Sequence, residues 1–332
     1  MSMETLLILV FVLVYPGLLF VIAASLFTEW YFRKLYARMQ NRMGPAYVGP
    51  FGILQPFADF FKLLTSKEDI TTVVGLKKSP AFALALGIGA LTALLLMTPA
   101  SPLGIAFNYD IVLALYLMLW ATFTFVLVGF MSPNPYTITG TSRYLTMFLV
   151  YEPIWVANLL IPTILVTKYF AKAEPSFSLL VTCLHSSELW LNPLTAIATA
   201  LAFISALIVL QAKVMFKPFD IPDAEQEVVA GPLTEYSGPK LALIHLLHDA
   251  ELMVLSLILV FVFLGGPAPF GYGGLLGILV IIVKYLIVVL VLTVIKASTA
   301  RYRLDQALGL LAKYSLIPTL IALAITAAIY LT

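Results

Sequence analysis

The sequence predicts an all-α protein, a polytopic membrane bundle of eight transmembrane helices with an amphipathic interfacial helix in its first polar loop. Of the 332 residues, 61% are hydrophobic and only 11% are charged, and the mean hydropathy is +1.02. Soluble chains carry about 25% charged residues. Eight apolar stretches are long enough to cross about 30 Å of hydrocarbon as helices. They are apolar on all faces, which excludes the alternating strands of a membrane barrel.

The predicted spans run in order over residues 4–28, 79–98, 110–131, 144–167, 191–212, 240–264, 274–295 and 309–331. The first has no basic segment before it, and its apolar core is too long for a signal peptide, so we expect it to be retained. We predict one integral membrane domain over residues 1–332. Its large polar loops are predicted at 30–78, 213–239 and 296–308.

The basic residues predict the orientation of the chain. Sixteen of the 19 lysines and arginines fall in alternate connections, on one side of the predicted bundle. The opposite side has only Lys168 and Lys172, and Lys284 lies within the seventh span. Because cytoplasmic loops are enriched in Lys and Arg, we expect the large loops in the cytoplasm and both termini outside a cell membrane.

The chain lacks the residues that redox or nucleotide chemistry requires. Its formal net charge of +2 disfavours nucleic-acid binding. Cys183 is the single cysteine and is predicted in an external loop, so the chain alone cannot form a disulfide or a cysteine-ligated iron–sulfur cluster. His185, His245 and His248 fit hydrogen-bonded residues of a bundle better than metal ligands. We therefore expect no cofactor, no metal and no catalysis from this chain by itself.

Ionisable residues inside predicted spans mark candidate ion pathways, because charge is costly in hydrocarbon. Glu29 closes the first span, Glu152 lies within the fourth, and Asp249 and Glu251 lie within the sixth. A purely structural ion pair is the alternative for Glu152. For Lys284 a pathway role and a pairing with a carboxylate on another helix both remain open.

The loop between the fifth and sixth spans concentrates acidic residues. Five carboxylates fall within 16 residues, and we expect almost no basic residues to neutralise them: Asp220, Asp223, Glu225, Glu227 and Glu235. A solvated acidic loop is the simpler interpretation of a charge run. Here prolines and glycines fix the backbone and apolar residues flank the acids, so we expect a mouth that gathers cations or protons.

Residues 51–64 of the first loop have helical amphipathic spacing, which predicts a helix at the membrane interface or against a partner. Rigid turns rich in glycine and proline precede it. The predicted apolar stripe consists of Ile53, Phe57, Phe60, Phe61 and Leu64, with Gln55, Asp59 and Lys62 off the stripe.

Three motifs resemble one known family. Residues 41–59 read NRMGPAYVGPFGILQPFAD, residues 218–225 read PFDIPDAE and are followed by EYSG at 235–238, and residues 301–306 read RYRLDQ. In this order over eight spans, they resemble the membrane protein known as subunit 1 of respiratory complex I. The family includes the homologous membrane subunits of energy-converting hydrogenases and of related sulfur-reducing complexes.

The motifs carry features of both branches of that family. Residues 231–243, GPLTEYSGPKLAL, look more like the hydrogenase branch, whereas residues 48–52, VGPFG, look more like complex I proper. We favour a ferredoxin-driven hydrogenase or sulfur-reducing complex. The alternative is a quinone-binding subunit of an NADH- or F420H2-type quinone oxidoreductase.

The resemblance implies roles for residues and partners. The polar loops would dock a peripheral arm with iron–sulfur and large hydrogenase-like subunits, and antiporter-like subunits would adjoin the chain in the bilayer. Iron–sulfur clusters, and nickel–iron or quinone, would belong to those partners. A proton or ion path with coupling roles would include Glu29, Glu152, Asp220, Asp223, Glu225, Glu227, Glu235, His248 and Asp249. His248 stands where complex I relatives often have a glutamate, and histidine can still relay protons.

Two alternatives from other classes remain open. A stand-alone secondary ion transporter would be expected to contain an internal repeat and paired broken spans. It would purify as a homo-oligomer that lacks iron. A purely structural membrane anchor would explain the interfacial helix, but not Glu152 or the acidic loop.

Overall fold

The computed structural model describes residues 3–70, 78–170 and 175–331. Within these ranges the chain is a helical bundle, and no β-strand occurs in them. Lys172 and residues 71–77 of the predicted first loop lie outside the described residues. The helices are α1 Met3–Leu13, α2 Leu18–Met39, α3 Gln55–Phe61, α4 Ser79–Leu96, α5 Asp110–Phe130, α6 Pro135–Phe170, α7 Leu179–His185, α8 Pro193–Lys213, α9 Glu225–Val228, α10 Gly238–Phe263, α11 Leu275–Ser298, α12 Leu304–Leu311 and α13 Ile317–Leu331.

Eight helical segments of the described chain are long and apolar enough to span a membrane, which confirms the predicted fold class. Several long helices begin with a proline in their first turn, where its missing N–H costs no hydrogen bond. The first span is broken between α1 and α2, and the last is made of α12, a π turn at Ala312–Leu316 and α13. The fourth is longer than predicted, because α6 extends back to Pro135.

Helix α10 is the central helix of the bundle and the most buried of the eight spans. It packs against α2, α4, α8 and α11, and its buried side chains are mostly large aliphatic and aromatic groups. The largest fully buried side chains elsewhere belong to α6, among them Tyr144, Tyr151 and Trp155. Helices α1, α11 and α13 instead expose many apolar side chains, as spans that face lipid or other membrane proteins do.

The end of the bundle that holds residues 40–70, 131–134, 214–237 and 299–303 is here called the loop end. Short 3₁₀ turns at Pro50–Gly52 and Gly231–Leu233 shape two of these connections. The connections touch one another: Asn134 contacts Glu235, Asp220 contacts Arg301, and Ser237 contacts the backbone of Glu68. Four connections that are distant in sequence therefore meet at one end of the bundle.

The amphipathic helix is shorter than predicted and turned differently. The α-helix covers only Gln55–Phe61 and continues as a π turn at Lys62–Ser66. Phe61 is more than half exposed, whereas Asp59 and Lys62 line a cavity between this helix and the bundle. The predicted apolar stripe is therefore not uniformly buried, and polar residues off the stripe face the cavity. Arg33 on α2 attracts Asp59 inward through an ion pair of 3.1 Å.

Candidate functional site

A charged cavity of about 230 Å³ lies between α2, α3 and α10. Glu29 and Arg33 of α2 form an ion pair one helical turn apart, and Arg33 also binds Asp59 across the cavity. From α10, His245 and Asp249 line the same space. Acidic and basic side chains from three helices therefore share one partly open cavity at the loop end of the bundle, with room for several water molecules.

Glu29 and Asp249 form the acidic pair of this cavity. Both side chains line the same space, and the charge of each acts on the other. Two carboxylates that share one site repel each other, so the loss of the second proton is disfavoured. The pair can therefore take up or release a proton while the neighbouring Arg33 balances the remaining charge.

Lys296 of α11 lies between this cavity and the acidic loop. Its ammonium group sits over the rings of Phe216 and Phe32, at 3.9 and 4.3 Å from their centroids. It interacts electrostatically with the carboxylates of both Asp249 and Asp220. A change of charge at the cavity therefore acts on the acidic loop through a single side chain.

The acidic loop folds over the loop end of α6. The backbone of Gly231 has φ +48°, and Gly140 of α6 lies so close that a Cβ there would stand 2.8 Å from the carbonyl oxygen of Pro222. Asp220 accepts a hydrogen bond of 2.8 Å from Arg301, and Glu227 is paired with Arg143. Basic residues distant in sequence therefore neutralise part of this loop, and the expectation of an unneutralised loop is wrong.

Asp223 is the acidic residue of the loop with the most perturbed ionisation. Burial, with the neighbouring charge of Asp220, raises the pKa of Asp223 to about 7, although Arg301 acts in the opposite direction. Its Oδ1 atom is buried without a hydrogen-bond partner among the described residues. Asp223 can therefore exchange a proton near neutral pH, as a group in a proton path must.

An ion pair, here called the interior pair, lies deeper between α6, α8 and α10. Lys213 Nζ donates a hydrogen bond of 2.6 Å to Glu152 Oε2, and both side chains are almost completely buried. The rings of Tyr151 and Trp155 flank the ammonium group, each with its centroid 5.5 Å away. Glu152 Oε1 has no partner among the described residues, so one acceptor position faces the interior.

Glu251 completes this interior group. It accepts a hydrogen bond from Thr122 of α5 and interacts electrostatically with both Lys213 and Glu152. Asp249 and Glu251 are two residues apart on α10, which turns their side chains about 200° from each other. One rigid helix thus carries a carboxyl group into the cavity and another into the interior pair.

Comparison with known proteins establishes the family. The sequence matches the NADH dehydrogenase family over residues 9–327, nearly its whole length. The chain belongs to the NADH dehydrogenase family. The match confirms the resemblance to subunit 1 of respiratory complex I that the three sequence motifs indicate.

Three relatives of the family cover most of the chain. A protein of Thermomicrobium roseum, named as the H subunit of NADH-quinone oxidoreductase, is 33% identical over 86% of this chain and 85% of its own length. A Helicobacter acinonychis protein of the same name is 32% identical over 92% of each chain. A protein of Paracentrotus lividus, called NADH-ubiquinone oxidoreductase chain 1, is 30% identical over 90% of this chain and 89% of its own length.

Within this family member, the predicted site residues fall into the cavity, the loop and the interior pair. Glu29 and Asp249 meet in the cavity, Asp220, Asp223 and Glu227 lie in the loop, and Glu152 reaches the interior. Three others lie apart from these contacts. Glu225 is exposed at the start of α9, Glu235 accepts a hydrogen bond from Asn134, and His248 donates one of 2.7 Å to the carbonyl of Val214.

Sequence reasoning did not identify the basic partners. Lys213, Arg143, Arg301 and Lys296 each stand at or near the end of a predicted span, where lysine and arginine are common for reasons of topology. Their position beside acidic residues depends on how the helices pack. The RYRLDQ motif was the one local signal, since it contains Arg301.

The structure bears on one of the two roles left open for Lys284. Lys284 pairs with no carboxylate of the described residues, and its ammonium group donates to the carbonyls of Leu264, Gly266 and Ala268 at 2.7–2.9 Å. Cys183 lies in the connection between α6 and α8, within the short helix α7, and burial raises the pKa of its thiol.

Proposed function

We propose that this chain is the coupling subunit of a complex I-related membrane oxidoreductase. It joins a peripheral arm that carries iron–sulfur clusters to ion-translocating membrane proteins. In this role, electron delivery near the cavity changes the charge on Glu29 and Asp249. The change spreads to the acidic loop and to the interior pair, where it alters proton occupancy.

The observation that carries the proposal is the position of two carboxyl groups on α10. Asp249 belongs to the cavity and Glu251 to the Lys213–Glu152 pair, so a shift or charge change of this helix reaches both. At about 4 Å and an effective dielectric near 20, unit charges interact by about 4 kcal/mol. An energy of this size is enough to change the protonation equilibrium constant of a neighbouring carboxyl group by orders of magnitude.

The test separates electron transfer from ion movement. Glu251→Gln, Glu152→Gln and Glu227→Gln are expected to keep electron transfer in membrane vesicles while the number of ions moved per electron falls. Ser256→Ala is the matched control, because Ser256 is buried on the same helix α10 outside the charged groups. Unchanged ion-to-electron ratios in all three variants would refute the coupling role.

For the host complex, the GPLTEYSGPKLAL segment supports the proposal of a ferredoxin-driven hydrogenase or sulfur-reducing enzyme. The matching partners would be a large hydrogenase-like protein and antiporter-like proteins in a cell membrane, with the loop end on the cytoplasmic side. The redox groups would belong to the partners. Purification of the intact complex, followed by identification of its components and nickel analysis, tests this host directly.

A quinone-reducing host is the second candidate. The relatives described above carry the names of quinone and ubiquinone oxidoreductases. In addition, an apolar cavity of about 690 Å³ lies between α2, α10 and α11, with Phe27, Leu257 and Tyr285 in its wall. Its size and lining suit the tail of an apolar ligand. Ala24→Leu narrows this cavity, because Ala24 is part of its wall. If the purified complex reduces quinones and this variant raises the KM for quinone, the quinone-reducing host replaces the first candidate.

A further inference from the structure

A threonine of α5 contacts the carboxyl group of α10 that lies beside the interior pair. Thr122 and Glu251 are both buried, and the Thr122 hydroxyl donates a hydrogen bond to Oε1 of Glu251. The same hydroxyl oxygen lies 3.2 Å from the backbone carbonyl oxygen of Met118, one turn earlier on α5. The single hydroxyl hydrogen of Thr122 therefore has two acceptors within reach, a carboxyl oxygen and a backbone carbonyl.

Two carboxyl groups share the interior of the bundle with one lysine. Lys213 is paired with Glu152 at 2.6 Å, and in the described part of the chain no ion pair joins Glu251 to a basic residue. One ammonium group balances one carboxylate, so this interior is electrically neutral only when the other carboxyl group holds a proton. Because contact with the ammonium group favours the charged form of Glu152, Glu251 is the group left to exchange that proton.

We propose that Glu251 is the proton-carrying group of the interior and that Thr122 is its positioning residue. With Glu251 ionised, the Thr122 hydroxyl donates to the carboxylate. When a proton from the aqueous phase reaches Glu251, the new carboxyl O–H donates to Thr122 Oγ1, and the Thr122 hydrogen turns to the carbonyl of Met118. Thr122 keeps its own proton throughout, and neither state leaves a buried hydroxyl group without a partner. The inference rests on the coupling role proposed above.

The charges around Glu251 come from α6 and α8. Four titratable side chains interact with it electrostatically: Lys213, Glu152, Tyr144 and Tyr151. Helix α4 contains no ionisable residue, and on α5 Tyr116 is exposed and Asp110 binds Ser178 at the first turn. The charged groups of α2, α7 and α11 have other partners: Glu29, Arg33 and Lys296 act on Asp249, His185 pairs with Glu188, and Lys284 binds the turn after α10. Removal of the Thr122 hydroxyl changes none of these charges.

Infrared difference spectroscopy of the purified complex measures the proton on Glu251 directly. The carbonyl stretch of a protonated carboxyl group that is absent in Glu251→Gln identifies this residue, and the disappearance of the band with rising pH gives its proton affinity. Thr122→Val removes the donor at nearly the same shape. The band should then persist to a higher pH by about one pH unit or more, which is about a tenfold rise in proton affinity. Thr122→Ser keeps the hydroxyl group and should titrate as the wild type does.

Thr124→Val is the matched control, because Thr124 is buried on the same helix and donates within it, to the carbonyl of Trp120 at 2.9 Å. It should leave the titration unchanged. Equal titrations of the wild type and Thr122→Val, equal shifts in Thr122→Val and Thr124→Val, or the lack of a Glu251 band at every pH would overturn the inference. The measurement requires no ion movement. The ion-to-electron ratio of Glu251→Gln tests the coupling role separately, so the two proposals can fail independently.

Discussion

Lys213 and Glu152 form an ion pair 2.6 Å long inside an apolar bundle, with the ammonium group between two aromatic rings. Such a pair is costly to bury and more costly to break, because removal of one partner leaves an uncompensated charge. Its position beside Glu251 makes it more than a structural link, since three ionisable groups share one desolvated space.

Removal of the lysine alone should therefore destabilise the protein strongly. We expect Lys213→Met to lower the free energy of unfolding by about 3–5 kcal/mol, and the double variant with Glu152→Leu to recover much of it. Denaturant titration of the purified protein in mixed detergent micelles measures both values. Equal destabilisation by the single and double variants would mean that the two side chains do not act as a pair.

The acidic loop should respond to pH through Asp223. Because its pKa is about 7 in the folded protein and 3.8 normally, the folded state favours the protonated form. The contribution of protonated Asp223 to the stability of the fold is complete below about pH 4 and is lost as the pH rises through 7. Asp223→Asn should remove this dependence and stabilise the loop above pH 7, by on the order of a few kcal/mol.

Amide hydrogen exchange of residues 220–237, corrected for the intrinsic effect of pH on exchange, measures that change. Glu225→Gln is the comparison, because Glu225 lies in the same loop and is exposed. If the protection of the loop against hydrogen exchange falls equally in the wild type and in Asp223→Asn as the pH rises, Asp223 is not the group that makes the loop sensitive to pH.

The contact between the first loop and α10 depends on Gly238. Its φ is +53°, and a Cβ at this position would stand 2.7 Å from the backbone oxygen of Glu68. We expect Gly238→Ala to displace residues 67–70 and to cost about 1–3 kcal/mol. Limited proteolysis of the first loop reports the displacement, which should also break the 3.1 Å ion pair between Asp69 and Lys240.

Gly89→Ala is the matched control for that prediction. Gly89 lies inside α4, where an added Cβ meets no atom of the described chain within 4 Å. Alanine is there expected to be neutral or to stabilise the helix by up to about 1 kcal/mol. Similar proteolysis of both variants would show that the close approach at Gly238 is unimportant.

Lys284 should stabilise the turn that follows α10. Its three hydrogen bonds hold the carbonyls of the turn that follows this helix. Lys284→Met leaves those acceptors unpaired and should cost about 1–3 kcal/mol, whereas Lys284→Gln keeps one donor group and should cost less. Thermal unfolding distinguishes the two. A loss of ion movement at unchanged stability would instead assign Lys284 to the pathway.

Particular residues show how far sequence reasoning reached in the site. Glu29, Glu152 and Asp249 were identified because a charged residue in an apolar span is conspicuous at any depth. The basic partners of the acidic loop could not be identified in this way. Arg301 and Arg143 meet that loop only after helices distant in sequence have packed together. The sequence predicts that Asp59 lies off the apolar stripe of the interfacial helix. Only the packing of this helix beside α2 brings Asp59 to Arg33.

The sequence by itself determined the eight spans and the family. Hydrophobic length is a local property that the bilayer enforces, and the motifs are contiguous in the chain. Only the tertiary structure decided which charges meet. Lys296 lies between Asp249 and Asp220 through helix packing, and Ser205, Ser315 and Thr319 converge from two different spans. Electrostatic coupling and buried hydrogen bonding depend on distances of a few ångströms, and those distances are set by packing rather than by order along the chain.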